Sequence, residues 1–223
     1  MLAALAAAPV PARAPADYIA PFFDWYADTF EEVLVDHLDY RAPEMVAAAL
    51  TRATDGNDAL AVIDLGCGTG LAGIAVRERC ARLVGIDLSP QMLDKARARG
   101  LYEALQVAAI TDVPALPRDG DYDAAIAADV FVYVSDLALE LAAVRRVLRP
   151  GGVFVFATER WENVSAGATW RLWRNGRYLH ARAHVRTVAE AAGFVVLEAG
   201  PTTLRTEYSV PVASNLFVLR RHD

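Results

Sequence analysis

A chain of 223 residues can bury the core of one domain and leave room for a short extension. Its 22 basic and 28 acidic side chains give a net charge of −6 with no basic block, which argues against a long nucleic-acid partner. Two cysteines suit neither a disulfide framework nor a zinc site, and no apolar run approaches the roughly 18–20 residues of a membrane span, so a cytoplasmic protein with reduced thiols and no membrane partner is expected.

Residues 1–16 lack the basic start of a secretory leader, and Pro9 and Pro11 break their short apolar run. They read as a flexible segment, a frayed helix and then a proline-rich linker, ahead of a single domain over 17–223. From Tyr18 onward, Phe22, Phe23, Trp25, Tyr26, Phe30, Val33 and Leu34 crowd an interrupted helical pattern. This stretch should cover the open end of a sheet, either as packing alone or as a lid that keeps water from a reactive site. Pro43 in a first turn, then Val46, Ala49 and Leu50, gives a further helix that runs into the polar turn 54–58. Together these make a helical lid region over 17–58.

The chain is organised around residues 61–89. An apolar run ends at Asp64, a turn with Gly66, Gly68 and Gly70 follows, and Leu71, Ile74 and Ala75 fall at helical spacing. A second apolar run, 83–86, closes on Asp87. This is a strand, a tight turn, a helix and a parallel strand, with the free N–H groups and positive end of the helix facing a crevice. Asp87 lies 21 residues past Gly66, about where a carboxylate meets ribose hydroxyls in such units. The turn with Cys67, and Leu88 and Met92 after Asp87, should therefore surround an adenosine-bearing ligand. Cys67 needs only to be small there, and Cys80 should end the helix; both thiols read as structural.

Ser89 caps and Pro90 starts a helix with Met92, Leu93 and Ala96 on one face, stopped at Gly100. Residues 105–107 should be the third strand, and 122–133 holds the fourth, again ending near an acid. Ligands in open parallel sheets sit beyond the carboxyl ends of the strands, so Asp129 and Tyr133 should face the same crevice as Gly66 and Asp87. Tyr133 could orient an acceptor but is a poor base near neutrality, given a reference pKa of about 10. Asp136 caps a helix with Leu137, Leu141, Val144 and Val147 as its buried stripe, and residues 148–152 turn into a fifth strand, 153–157.

The Trp- and Arg-rich stretch after Glu159 is the least regular part and the natural place for acceptor contacts. Tyr178 and His180 are the candidates, with a structural role as the alternative for His180. His180 and His184 lack the acid of a zinc-binding helix, so no metal is expected. Residues 184–192 make a helix stopped by Gly193. Residues 194–198 and 215–219 read as a closing antiparallel hairpin, with Arg205 and Glu207 paired in the loop between them.

The string Val62-Ile63-Asp64-Leu65-Gly66-Cys67-Gly68-Thr69-Gly70 resembles the first motif of the class I S-adenosylmethionine-dependent methyltransferases. Gly85-Ile86-Asp87-Leu88-Ser89-Pro90-Gln91-Met92-Leu93 resembles the motif that follows it. Phe23-Asp24-Trp25-Tyr26-Ala27-Asp28-Thr29-Phe30, with Leu38-Asp39-Tyr40-Arg41-Ala42-Pro43, is similar to a subgroup often fused to tetratricopeptide repeats, which would make residues 2–8 a vestige of a repeat helix. The resemblance implies a Rossmann-like, doubly wound, seven-stranded, mostly parallel sheet with an antiparallel C-terminal hairpin. It implies S-adenosyl-L-methionine as cofactor, held in a half-domain over 59–157, and an acceptor loop and hairpin over 158–223.

By the same analogy, Asp64 belongs to the cofactor site, and Tyr26 and Arg41 are candidates for the methionine end. A solvent-facing arginine at a helix start is the alternative for Arg41. The family commonly meets the adenine amino group with an acid near the third strand, but this chain has Ala109 where the subgroup tends to have one. Either Asp112 substitutes, or the backbone around Ile110 holds the base, with Asp112 a plain turn residue. The reaction implied is methyl transfer to a small-molecule acceptor. A protein side chain as acceptor, or a non-catalytic cofactor-binding module, are the alternatives. A nicotinamide-dependent oxidoreductase is least favoured, because Leu71 stands where GxGxxG spacing would need its third glycine.

Overall fold

The computed structural model describes residues 10–115, 122–162 and 164–222. First come α1 (Ala16–Tyr26) and a π-helical segment (Glu32–His37), then α2 (Ala42–Ala53). The alternating part follows: β1 (Leu60–Leu65), α3 (Leu71–Val76), β2 (Cys80–Asp87), α4 (Pro90–Ala98), β3 (Ala104–Val107) and β4 (Tyr122–Ala127). The chain continues through α5 (Ala138–Val147), a long β5 (Leu148–Arg160), β6 (Trp170–Leu172), β7 (Tyr178–His180) and α6 (Arg182–Ala191). It closes with β8 (Phe194–Glu207) and β9 (Val210–Arg221).

Strands β3, β2, β1, β4 and β5 pair in parallel in that spatial order, and β9 runs antiparallel between β5 and β8. Those seven strands are the expected Rossmann-like sheet with its antiparallel end. Two short strands are added to it. Glu159 of β5 pairs with Ser214 of β9 on one edge and with Leu179 of β7 on the other, so β7 and its partner β6 continue the sheet past the end of β4.

The strands are apolar on both faces because helices cover both. Leu60 and Val62 of β1 join Val46, Leu50, Ala72 and Val76 from α2 and α3. Ile63 and Leu65 point the other way, into a cluster with Leu141 and Val144 of α5 and Val185 and Ala189 of α6. In that second layer Phe154, Phe156 and Phe217 stack with ring centroids 4.7 Å and 5.1 Å apart across β5 and β9. Such rings contribute roughly 0.5–1.5 kcal/mol per pair beyond their buried area.

Tyr102 locks the glycine turn to the sheet. Its hydroxyl donates to Asp64 Oδ2 at 2.7 Å, and its ring fills the space that side chains at two glycines would need. A Cβ at Gly73 would lie 2.2 Å from the Tyr102 hydroxyl oxygen, and one at Gly85 would lie 2.9 Å from Tyr102 Cε1 and from Cys67 Sγ.

The structure departs from the sequence reading in four places. Helix α3 ends at Val76, and Cys80 opens β2 instead of ending a helix, its thiol donating to the Val76 carbonyl at 3.2 Å. The irregular stretch after Glu159 contains the β6–β7 hairpin. The loop expected between 198 and 215 is largely strand, because β8 and β9 stay paired out to Glu207 and Val210. Residues 11–14 are docked and not a loose linker: Ala14 N–H donates to the Tyr133 carbonyl at 2.8 Å, Ser135 N–H to that of Ala12 at 3.0 Å, and the Tyr178 hydroxyl to that of Pro11 at 2.7 Å. The stretch 2–8 lies outside the described residues.

In an exposed helix, Gly→Ala adds about 1 kcal/mol of stability. Gly73→Ala should instead destabilise by about 1–3 kcal/mol, because the new methyl overlaps Tyr102. Urea unfolding measures the difference, and a higher midpoint than wild type would refute the account.

Candidate active site

A cavity of about 350 Å³ opens where the carboxyl ends of β1, β2 and β4 meet the lid. At its floor the turn after β1 leaves Gly66 at φ 66°, in the left-handed region. A side chain at Gly66 is doubly excluded, since its Cβ would also lie 2.8 Å from a Val130 methyl. Asp87, at the end of β2, is held rigidly: Gly68 N–H donates to Oδ2 and Ser89 N–H to Oδ1, each at 2.9 Å. Each oxygen keeps a further lone pair for a ligand hydroxyl. Burial raises its pKa, and these amide donors pull the other way.

Leu88, Met92, Ile110 and Thr111 border the cavity beyond Asp87. Lid residues Ile19, Phe22, Phe23, Tyr26 and Phe30 cover it, and Phe23 meets the ring of Tyr133 edge-on at 5.7 Å. The lid is fastened to α4 by carboxylates at helical spacing. Asp24 accepts from the Ser89 hydroxyl at 2.5 Å, Asp28 pairs with Lys95 at 2.6 Å, and Glu31 pairs with Arg99.

The opposite wall is ionic. Arg205 of β8, 1% exposed, pairs with Asp129 beyond β4, with Glu159 of β5 and, at 2.8 Å, with Glu207. Arg177, from the turn between β6 and β7, pairs with Glu207 and with Glu159, the latter at 3.2 Å. Burial would lower the Arg205 pKa, but Asp129, Glu159 and Glu207 outweigh it and hold the guanidinium above its ordinary value. Asp129 has φ 59°, a left-handed conformation that needs support in a non-glycine residue. Its Oδ1 is buried without a hydrogen-bond partner. Tyr133 borders the same space; burial raises its pKa, and Arg177 opposes that.

Of the residues singled out from sequence, Gly66, Gly68, Asp87, Leu88, Met92, Ile110, Asp129, Tyr26 and Tyr133 lie on this cavity. Others are placed elsewhere. Asp64 is sequestered behind the turn with Tyr102; burial pushes its pKa up to about 7, against the Tyr102 hydrogen bond. Cys67 points its sulfur at Gly85. Arg41 is exposed and gives only its backbone N–H, to the Leu204 carbonyl at 2.7 Å. Asp112 is exposed, its N–H turned to Ala109.

Tyr178 and His180, the expected acceptor contacts, are buried on β7. Tyr178 is tied to Pro11, as above. His180 Nε2 lies 2.9 Å from the Val134 carbonyl oxygen and 3.0 Å from that of Ser135, to which only a protonated Nε2 can donate. Burial lowers its pKa to about 4. Both side chains anchor the docked N-terminal segment and the loop after β4 to β7. Arg177, Tyr40 and Glu140 border the cavity without having been singled out, whereas Phe30 belongs to the expected lid. The Arg205–Glu207 pair was expected, but its extension to Asp129 and Glu159 was hidden by 76 and 46 residues of chain separation.

The match to the protein family described as a methyltransferase domain covers residues 63–156, which include the glycine turn, Asp87, Ile110 and Asp129. This stretch is similar to a methyltransferase domain. The likeness to methyltransferases extends over most of the chain. The human methyltransferase-like protein 27 is 29% identical over 185 residues, 71% of this chain and 74% of that protein. A malonyl-[acyl-carrier protein] O-methyltransferase of Serratia marcescens is 42% identical over 97 residues, 44% of this chain, but the chain spans only 37% of its length. Among solved structures, the 1,6-didemethyltoxoflavin-N1-methyltransferase of Burkholderia thailandensis, with 1,6-didemethyltoxoflavin and S-adenosylhomocysteine bound, shares the fold. Its TM-score is 0.71 at 18% identity, over 97% of this chain and 94% of that one.

Two predictions follow from the buried charges. Arg205→Leu leaves Asp129 and Glu159 without their partner and should destabilise the fold by about 3–5 kcal/mol in urea unfolding; a loss under 1 kcal/mol would refute this account of the wall. His180 has its pKa lowered on folding, so the unfolded chain binds more protons between pH 6.5 and about 4. Its contribution is complete above pH 6.5 and is lost as pH falls toward 4. Relative to His180→Gln, which keeps a donor but cannot titrate, wild type should lose about 3 kcal/mol over that window. Parallel pH profiles for the two proteins would contradict the assignment.

Proposed function

We propose that the chain transfers a methyl group from S-adenosylmethionine to a small-molecule acceptor. The observation that carries this reading is Asp87, fixed by the Gly68 and Ser89 amides, on a cavity closed over by an aromatic lid. When bound, the cofactor supplies an electrophilic methyl group on its sulfonium. The groups present fit it. Asp87 offers acceptors for ribose hydroxyls, Gly66 lets backbone approach closely, and the buried, unpartnered Asp129 Oδ1 offers an acceptor to an amino group at the methionine end.

The residues of the chain then contribute binding, alignment and exclusion of water. Alignment alone is worth several kcal/mol, up to about 7–11 kcal/mol in well-oriented systems. Phe23, Phe30 and Tyr26 keep water from the reacting centre. Tyr133, its phenol held protonated by burial, donates a hydrogen bond to the acceptor and does not serve as its base. The size of the cavity, about 350 Å³, and its covering favour a small acceptor over a protein side chain. The Phe23 to Phe30 run supports membership of the subgroup often fused to tetratricopeptide repeats, and the free thiols Cys67 and Cys80 support a cytoplasmic setting. Among the described residues no helix is long and apolar enough to cross a membrane.

Calorimetry with S-adenosylmethionine, S-adenosylhomocysteine and NAD tests the reading. The first two should bind and NAD should not. Asp87→Ala should weaken binding of the first two by roughly 1–3 kcal/mol. A folded protein that binds neither sulfur ligand would overturn the function.

A further inference from the structure

Glu140 has no part in the site as described so far. It sits in the first turn of α5, 2% exposed, and borders the cavity. Its Oε1 pairs with Arg13 of the docked N-terminal segment at 3.2 Å, while Oε2 is buried and has no hydrogen-bond partner. Burial raises the Glu140 pKa and Arg13 opposes it. A buried carboxylate with one oxygen unmet is costly, and an apolar residue would serve α5 better, since its neighbours Leu141 and Val144 are core. An orphaned acceptor on a cavity wall points to a donor that arrives with the ligand.

Position says which donor. Helix α5 packs on the 3₁₀ segment Ile110–Ala115, and Val113 shares a core cluster with Leu137 and Leu141. Residues 108–111, which lead into that segment and begin it, line the cavity next to Asp87, whose carbonyl accepts from Ala108 N–H at 3.1 Å. Their side chains are Ala, Ala, Ile and Thr, so they offer a base an apolar seat without a carboxylate. Among the described residues, three carboxylates border the cavity. Asp87 stands at the glycine turn and Asp129 on the Arg205 wall, whereas Glu140 lies on α5, the helix that packs on the segment of the base seat.

We propose that Glu140 reads the base of an adenosine-bearing ligand, its Oε2 accepting from the exocyclic amino group while Arg13 holds the carboxylate in place. The inference rests on the cofactor reading above. The acid that the third-strand segment lacks is supplied from α5, and base recognition is joined to docking of the N-terminal segment.

Titration calorimetry with S-adenosylhomocysteine and with its analogue carrying hydrogen in place of the 6-amino group tests this. Wild type should bind the amino form about tenfold or more tightly, as expected for a hydrogen bond to a charged group. Glu140→Leu should bind both about equally, and Glu140→Gln, which keeps an acceptor without charge, should fall between. Equal affinity of wild type for the two ligands would overturn the proposal. So would a wild-type ratio in folded Glu140→Leu or, if that variant does not fold, in Glu140→Gln. Wild type binding neither ligand would remove the cofactor reading itself, a result distinct from equal binding of both.

Discussion

The arrangement of the cavity depends on one buried guanidinium. Arg205 draws together groups from β4's end, β5 and β8, and so fixes where the far wall of the cavity stands. Buried ions of this kind act as a unit, because removing one member leaves its partners desolvated and unpaired. The constraint also accounts for two elaborations of the sheet. Strand β8 must stay ordered as far as Glu207 to deliver Arg205, and the β6–β7 hairpin brings Arg177 to the same carboxylates. The left-handed backbone of Asp129 is tolerated because Arg205 holds its side chain from the other side.

The cover over the cavity is held differently from the core beneath it. Strands β1, β4 and β5 are sealed by apolar residues on both faces, whereas the lid is tied to α4 by Asp24, Asp28 and Glu31 and leaves Tyr18 and Trp25 exposed. Exposed ion pairs contribute about 0–1 kcal/mol each. The docked segment before α1 adds a few backbone hydrogen bonds to Tyr133 and Ser135. Elements held mainly by polar ties of this kind belong to the less stable part of a fold, from which the covers of ligand sites are drawn.

Legibility in the sequence followed the range of the interaction. The β1–turn–α3–β2 unit could be read because its signals are local: apolar runs, three glycines and an acid at each strand end. The ends of α4 and β3, set by Ser89, Pro90 and Gly100, were readable for the same reason. The placement of Tyr178 and His180 was not, because nothing nearby in sequence says that residues 11–14 and 133–135 will cover β7. Asp64 looked like a ligand contact and is a hydrogen-bond partner of Tyr102, 38 residues away, whose ring packs where Gly73 and Gly85 leave room. The Arg205 cluster and Glu140 depend on pairings across dozens of residues. For Glu140 the sequence signal is a charged residue between Leu139 and Leu141, and for the Arg205 cluster it is the nearby Glu207 alone.

Charge gives the cavity a direction. Around Arg205 and Arg177 stand three carboxylates, and Asp87 and the Arg13-paired Glu140 add two more on the cavity's other sides, five carboxylates to three guanidiniums. In a partly covered cavity this excess is less screened than on open surface, and it favours a ligand that carries a positive centre. Aromatic faces from Phe23, Tyr26 and Phe30 act in the same sense, since rings attract cations. A methyl donor carries that centre on its sulfur, and the demethylated product does not. On the proposed function, the ionic wall gives up part of its attraction once the methyl group has left. On the reading proposed above, the ionic wall and the lid distinguish the charged form, while the glycine turn and Asp87 meet what the two forms have in common.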